Sequence, residues 1–111
     1  KIIIDDGSHL LKDIIHNLKF FFQFLNNGGY YIIEDYNHPK YYSFLNDSNN
    51  QELLVDKLIY NLKKKRNFKS KILLKKHQQK LFKNISKIYT HKGIMKDIQK
   101  NVSDILILKK N

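Results

Sequence analysis

Two short segments could do chemistry: Ile2-Ile3-Ile4-Asp5-Asp6-Gly7-Ser8-His9, and Gly28-Gly29-Tyr30-Tyr31-Ile32-Ile33-Glu34-Asp35 a helix-length later. Each is an apolar run that breaks into acidic residues. As buried parallel strands, the runs would deliver carboxylates to neighbouring carboxyl ends, where open α/β sheets build their ligand crevices. Asp6, Glu34, Asp35 and His9 would then meet at one edge of the sheet. Hard oxygen ligands suit a magnesium-type cation, and an adjacent imidazole suits proton removal near neutral pH.

Such a site needs a strand-helix-strand frame, and the intervening sequence supplies one. From Ser8, a residue suited to an N-cap, apolar residues fall at Leu10, Leu11, Ile14, Ile15, Leu18, Phe21, Phe22 and Leu25, a helical stripe that would pack on a sheet. Asn26-Asn27-Gly28-Gly29 ends it, a glycine there being able to take the positive φ of a helix C-cap. Tyr30 to Ile33 is rich in aromatic and β-branched residues and predicts the second strand. The unit is a βαβ, which crosses over right-handed.

Further on, Tyr36-Asn37-His38-Pro39-Lys40-Tyr41-Tyr42 predicts a loop over the strand ends and makes His38 a candidate substrate contact. A second helix is expected from about Asn50 to Lys65, and a third helical segment from Lys71 to Phe82. Ile85 to Thr90 and Ile105 to Leu108 predict an antiparallel pair at the sheet edge, joined by a loop with Gly93. His16, His77 and His91 have no partner spacing and read as surface residues. Phe20, Phe21, Phe22 and Phe24 read as helix-to-sheet packing.

At 111 residues the chain is at most one domain, and it contains no cysteine, which excludes disulfides and thiolate zinc sites and fits a reducing cytoplasm. No apolar run approaches the roughly 20 residues of a bilayer span, so no membrane partner is expected. The net charge of +11 is unevenly placed: residues 1–56 carry −4 and residues 57–111 carry +15. A non-enzymatic basic module binding a polyanion such as nucleic acid is therefore the alternative reading. Against nucleic acid stands the single Arg66, since arginine makes the bidentate contacts to phosphate and guanine. The many lysines read as solvated.

The segments IIIDDGSH, NLKFFFQFL and GGYYIIEDY, followed by NHPKYYSFL and the terminal SDILILKK, resemble the second half of class I S-adenosylmethionine-dependent methyltransferases of the metal-dependent macrocin and mycinamicin sugar O-methyltransferase type. The resemblance implies an α/β fold: strands four to seven of a Rossmann-like seven-stranded sheet, parallel with an antiparallel edge strand. Residues 1–111 would be the C-terminal portion of one methyltransferase domain, its cofactor-binding N-terminal portion missing. It implies Mg2+ held by Asp6, Glu34 and Asp35, with His9 as general base and Asp5 either structural or a contact at the edge of S-adenosylmethionine. The acceptor would be a hydroxyl of a small molecule, a sugar by the same resemblance. The family's glycine-rich loop after its first strand, and the acid after its second, have no counterpart here. An isolated half of this kind is expected to expose a strand edge and to be poorly soluble or a homo-oligomer.

Overall fold

The apolar runs form strands and the amphipathic stripes form helices in the computed structural model, which describes residues 1–47, 49, 51–93 and 103–111. The elements are β1 (Ile2–Asp5), α1 (Leu11–Phe21), β2 (Tyr30–Glu34), α2 (His38–Tyr41), α3 (Val55–Lys64), α4 (Lys75–Asn84), β3 (Ile85–His91) and β4 (Ile105–Lys110). Short 3₁₀ turns follow α1 at Phe22–Phe24 and α2 at Ser43–Leu45. Among the described residues, four strands make one mixed sheet in the order β1-β2-β4-β3.

β1 and β2 are parallel neighbours, with Ile2 opposite Tyr30 and Asp5 opposite Ile33. This is the pairing the candidate site needs. β4 runs antiparallel to both β2 and β3, so it is the one reversed strand, and it lies inside the sheet rather than at its edge. Composition explains the correction. β4 presents Leu106 and Leu108 to the core, both essentially inaccessible, whereas β3 alternates through Ser86, Lys87 and Thr90 and is mostly exposed, as suits an edge strand.

All the fully buried sheet residues project to one face. Tyr31, Ile33, Leu106 and Leu108 join Leu11, Ile14, Ile15 and Leu18 of α1, Val55, Leu58, Ile59 and Leu62 of α3, and Leu81 and Phe82 of α4 in one core. Right-handed crossovers that step the same way across a sheet place their helices on the same side, which accounts for the arrangement. Each fully buried Leu or Ile contributes about 1.5–3 kcal/mol of transfer free energy to it. Of Phe20, Phe21, Phe22 and Phe24 only Phe22 packs inward. Phe20 and Phe24 are more than half exposed and Phe21 is also exposed; the three cluster edge to face beside the core instead of on the sheet.

Several boundaries also move. Ser8 does not cap α1: its hydroxyl accepts from the Leu10 N–H at 3.1 Å, making a small turn before a helix whose N-cap is Leu10. The expected loop after Asp35 contains α2, entered through Pro39 in its first turn, where a missing N–H costs nothing. Asn50 lies outside the described residues, and α3 begins at Val55. α4 starts at Lys75, later than the periodicity suggests, because buried Gln78 draws the preceding segment into irregular structure. Its side chain accepts from Phe68 N–H and donates to the carbonyls of Phe68 and Leu73. His77 is not a free surface residue; its Nδ1 accepts from Leu74 N–H at the start of α4. No helix among the described residues is long and apolar enough to cross a membrane.

Candidate metal centre

Asp6 and Asp35 follow the last residues of β1 and β2, and parallel pairing sets both sites at the same edge of the sheet. Asp35 takes a left-handed backbone conformation, φ 56°. Aspartate tolerates this better than most residues, and the conformation turns the chain sharply at the strand end. His38 N–H then donates to the Asp35 carbonyl at 3.1 Å, closing the turn and bringing the first residue of α2 back over the same edge. His9 arrives from the other side on the turn between β1 and α1.

The result is a cluster of two imidazoles on one carboxylate. His9 Nε2 lies 3.4 Å from Asp35 Oδ2, and His38 Nε2 lies 3.5 Å from Asp35 Oδ1. The two imidazole rings meet edge to face at 4.7 Å, and Tyr42 packs edge to face on His38 at 5.3 Å. All three polar side chains are half-buried. Among the described residues, this is the group of three whose ligand atoms lie within 4.8 Å of one another.

Asp6 and Glu34 form the other half of the site. The Glu34 carboxyl is held above its ordinary pKa, first because its protonated form hydrogen-bonds Asp6, then through partial burial and the negative charges of Asp6 and Asp35. Asp6 thus lies against Glu34 and the Asp35 charge acts on Glu34, but Asp6, Glu34 and Asp35 do not bring three ligand atoms within 4.8 Å of one another as His9, Asp35 and His38 do. Asp35 is the hinge between the acidic pair and the imidazole pair. Asp5 faces elsewhere: its carboxylate accepts from Gly7 N–H at 3.2 Å and from the Asn17 amide at 3.4 Å, which ties the strand end to α1.

Sequence reading missed the residue that anchors the turn carrying His38. Asp104 is 1% exposed, lies just before β4, and accepts from the Asn37 amide at 2.8 Å, the Tyr41 hydroxyl, and Gly93 N–H at 2.9 Å. Its own carbonyl accepts from Tyr36 N–H at 3.2 Å. Burial pushes the Asp104 carboxyl up, but the donations from Tyr41, Asn37 and Gly93, with the Lys92 charge, outweigh it and hold the group below the usual carboxylate range. The same bond pushes the Tyr41 hydroxyl up to about 12. The faint signal in the sequence is an acid placed directly before an apolar strand. Comparison with protein-family models, with curated proteins and with solved structures gave no match to this chain.

Proposed function

We propose that this chain carries the metal-binding and proton-removing part of a Mg2+-dependent, S-adenosylmethionine-dependent O-methyltransferase acting on a small hydroxylated molecule such as a sugar. One observation supports the reading above the others: at the carboxyl ends of two parallel strands Asp6 lies against Glu34, and beside them His9 lies against Asp35. The donor set fits a magnesium ion. Carboxylates whose mutual repulsion helps to raise the Glu34 pKa would be relieved by a hard divalent cation, and Asp6, Glu34 and Asp35 would hold it. When bound, such an ion lowers the pKa of a coordinated hydroxyl and fixes its direction.

The remaining work falls to the chain's own groups. His9 would take the hydroxyl proton at Nδ1, since its Nε2 faces Asp35 Oδ2, which would orient the ring and accompany the imidazolium that results. His38 closes the opposite side and would contact the acceptor. The residues do not form a cradle for S-adenosylmethionine. Gly28 and Gly29 lie between a helix and a strand, the reverse of a nucleotide-binding turn, and Asp5 is engaged with Gly7 and Asn17.

The test is methyl transfer to a panel of sugars by the intact enzyme. His9→Ala is expected to lower kcat about 10²–10⁴-fold, and chelation of divalent ions to abolish turnover. Turnover indifferent to both changes would overturn the reading.

A further inference from the structure

His9, Asp35 and His38 have a chemistry that the magnesium reading does not use. We propose that they form a binding site for a borderline first-row divalent cation, Zn2+ foremost, in which two imidazoles and one carboxylate supply the ligands. Ligand atoms held about 2.0–2.1 Å from a tetrahedral zinc stand about 3.4 Å from one another. Each imidazole Nε2 stands at that distance from a different oxygen of Asp35, 3.4 and 3.5 Å, and with one ligand atom taken from each residue all three fall within 4.8 Å of one another. A turn of the Asp35 carboxylate and side-chain shifts of about 1 Å would close the set on an ion.

The ligand types select the ion. Imidazole nitrogen favours zinc, nickel, copper and iron, and their affinities for such a site exceed that of magnesium, which prefers six oxygens in octahedral array. With no cysteine in the chain, imidazole nitrogen and carboxylate oxygen are the ligands this cluster offers. Among the described residues three protein ligands converge, which leaves a coordination position for water or a small ligand, as in catalytic rather than structural zinc sites. The three side chains are 19–28% exposed, enough for an ion to enter.

The site is also positioned from several directions, which a chance surface pair would not be. His9 stands on the turn fastened by Ser8 and Leu10, Asp35 on the left-handed turn after β2, and His38 on α2, whose flank is fixed to Asp104 through Asn37 and Tyr41. Asp35 belongs to both this set and the carboxylate set, so one ion excludes the other. A bound Zn2+ also occupies His9. Zinc binding is thus a property of these residues whether or not the chain takes part in methyl transfer, and its failure would leave that reading untouched.

The experiment is a calorimetric titration of the 111-residue chain with Zn2+ alone, with imidazole nitrogen NMR to report which rings respond. One ion per chain is expected, with the His9 and His38 resonances shifting together while His16 and His91 stay in place. His9→Ala and His38→Ala should each weaken binding by at least about tenfold, whereas Asp6→Asn should change it less than about threefold, and Mg2+ should compete. His38→Gln, checked by circular dichroism, substitutes where alanine disturbs α2. Zn2+ that shifts neither ring, that shifts the surface histidines equally, or that binds His38→Ala as tightly as the parent would overturn the site. Equal losses in Asp6→Asn and His38→Ala would overturn it too, placing the ion on the carboxylates.

Discussion

At the scale of single residues, Glu34 shows how a site can oppose the stability of its own fold. Its carboxyl keeps a proton above the ordinary glutamate pKa of 4.5, chiefly through the hydrogen bond that the protonated form makes with Asp6. In that window the folded chain holds more protons than the unfolded chain, so stability falls as pH rises through it. Glu34→Gln keeps a hydrogen-bond donor and removes the charge. The variant should therefore melt at higher temperature than the parent at neutral pH without divalent ions, and the gap should close at acid pH. Added Mg2+ should raise the parent's Tm more than the variant's. Thermal melts at several pH values, with and without Mg2+, check both statements; a variant that melts lower than the parent at neutral pH refutes them. The acidic pair was legible in the sequence because an apolar run ending in carboxylates specifies both strand and edge. The joining of His38 to Asp35 was not, since it depends on the positive φ of Asp35, which its residue type permits but does not require.

Among the elements, connections carry more of the specification than the helices do. The α1-to-β2 connection needs its glycines for different reasons. Gly28 has a φ of +81° and open space around it, whereas a Cβ on Gly29 would come within 2.8 Å of the Lys1 carbonyl oxygen and of Leu25 Cδ1. Gly28→Ala is expected to cost about 1 kcal/mol from backbone strain, and Gly28→Asn less. Gly29→Ala must push β1 and the end of α1 apart and should cost more than Gly28→Ala, as read from urea midpoints. Asp104 is the corresponding lock at the opposite end of the sheet. Asp104→Ala strips a buried acceptor from Asn37, Tyr41 and Gly93, a loss of about 3–5 kcal/mol by analogy with broken buried pairs. Because its pKa is depressed, the stabilisation it brings is present above the ordinary aspartate range and is lost as pH falls through its lowered value. The acid limb of the stability curve should accordingly be shallower in Asp104→Asn than in the parent. The Asp104 lock was not legible in sequence, where Asn37 and Asp104 stand 67 positions apart. Strands and helices repeat a local period; a lock of this kind has none.

For the molecule as a whole, the two faces of the sheet are unlike. The register sets Ile2, Ile4, Tyr30, Ile32, Ile105, Ile107 and Tyr89 on the face away from the helix core, with Ile2 and Ile4 58% and 59% exposed. Among the described elements, β1 also has a neighbour on only one side. The sequence announced the apolar runs but not that α1, α3 and α4 would pack on one face, which follows from how the crossovers step across the sheet. An apolar face beside an open strand edge favours association. The net charge of +11 opposes it, and the balance between them is set by ionic strength. At low salt, repulsion between copies reaches across the contact; near 0.1 M the Debye length is about 10 Å and most of that repulsion is screened. The apolar attraction is not. Mass measured by sedimentation should therefore rise with salt in the parent chain. Ile4→Lys, which puts a charge on the open face next to the free edge, should hold the chain monomeric over the same range. If mass instead falls as salt rises, association is held by attraction between the acidic and basic halves of the chain, and the open face of the sheet has no part in it.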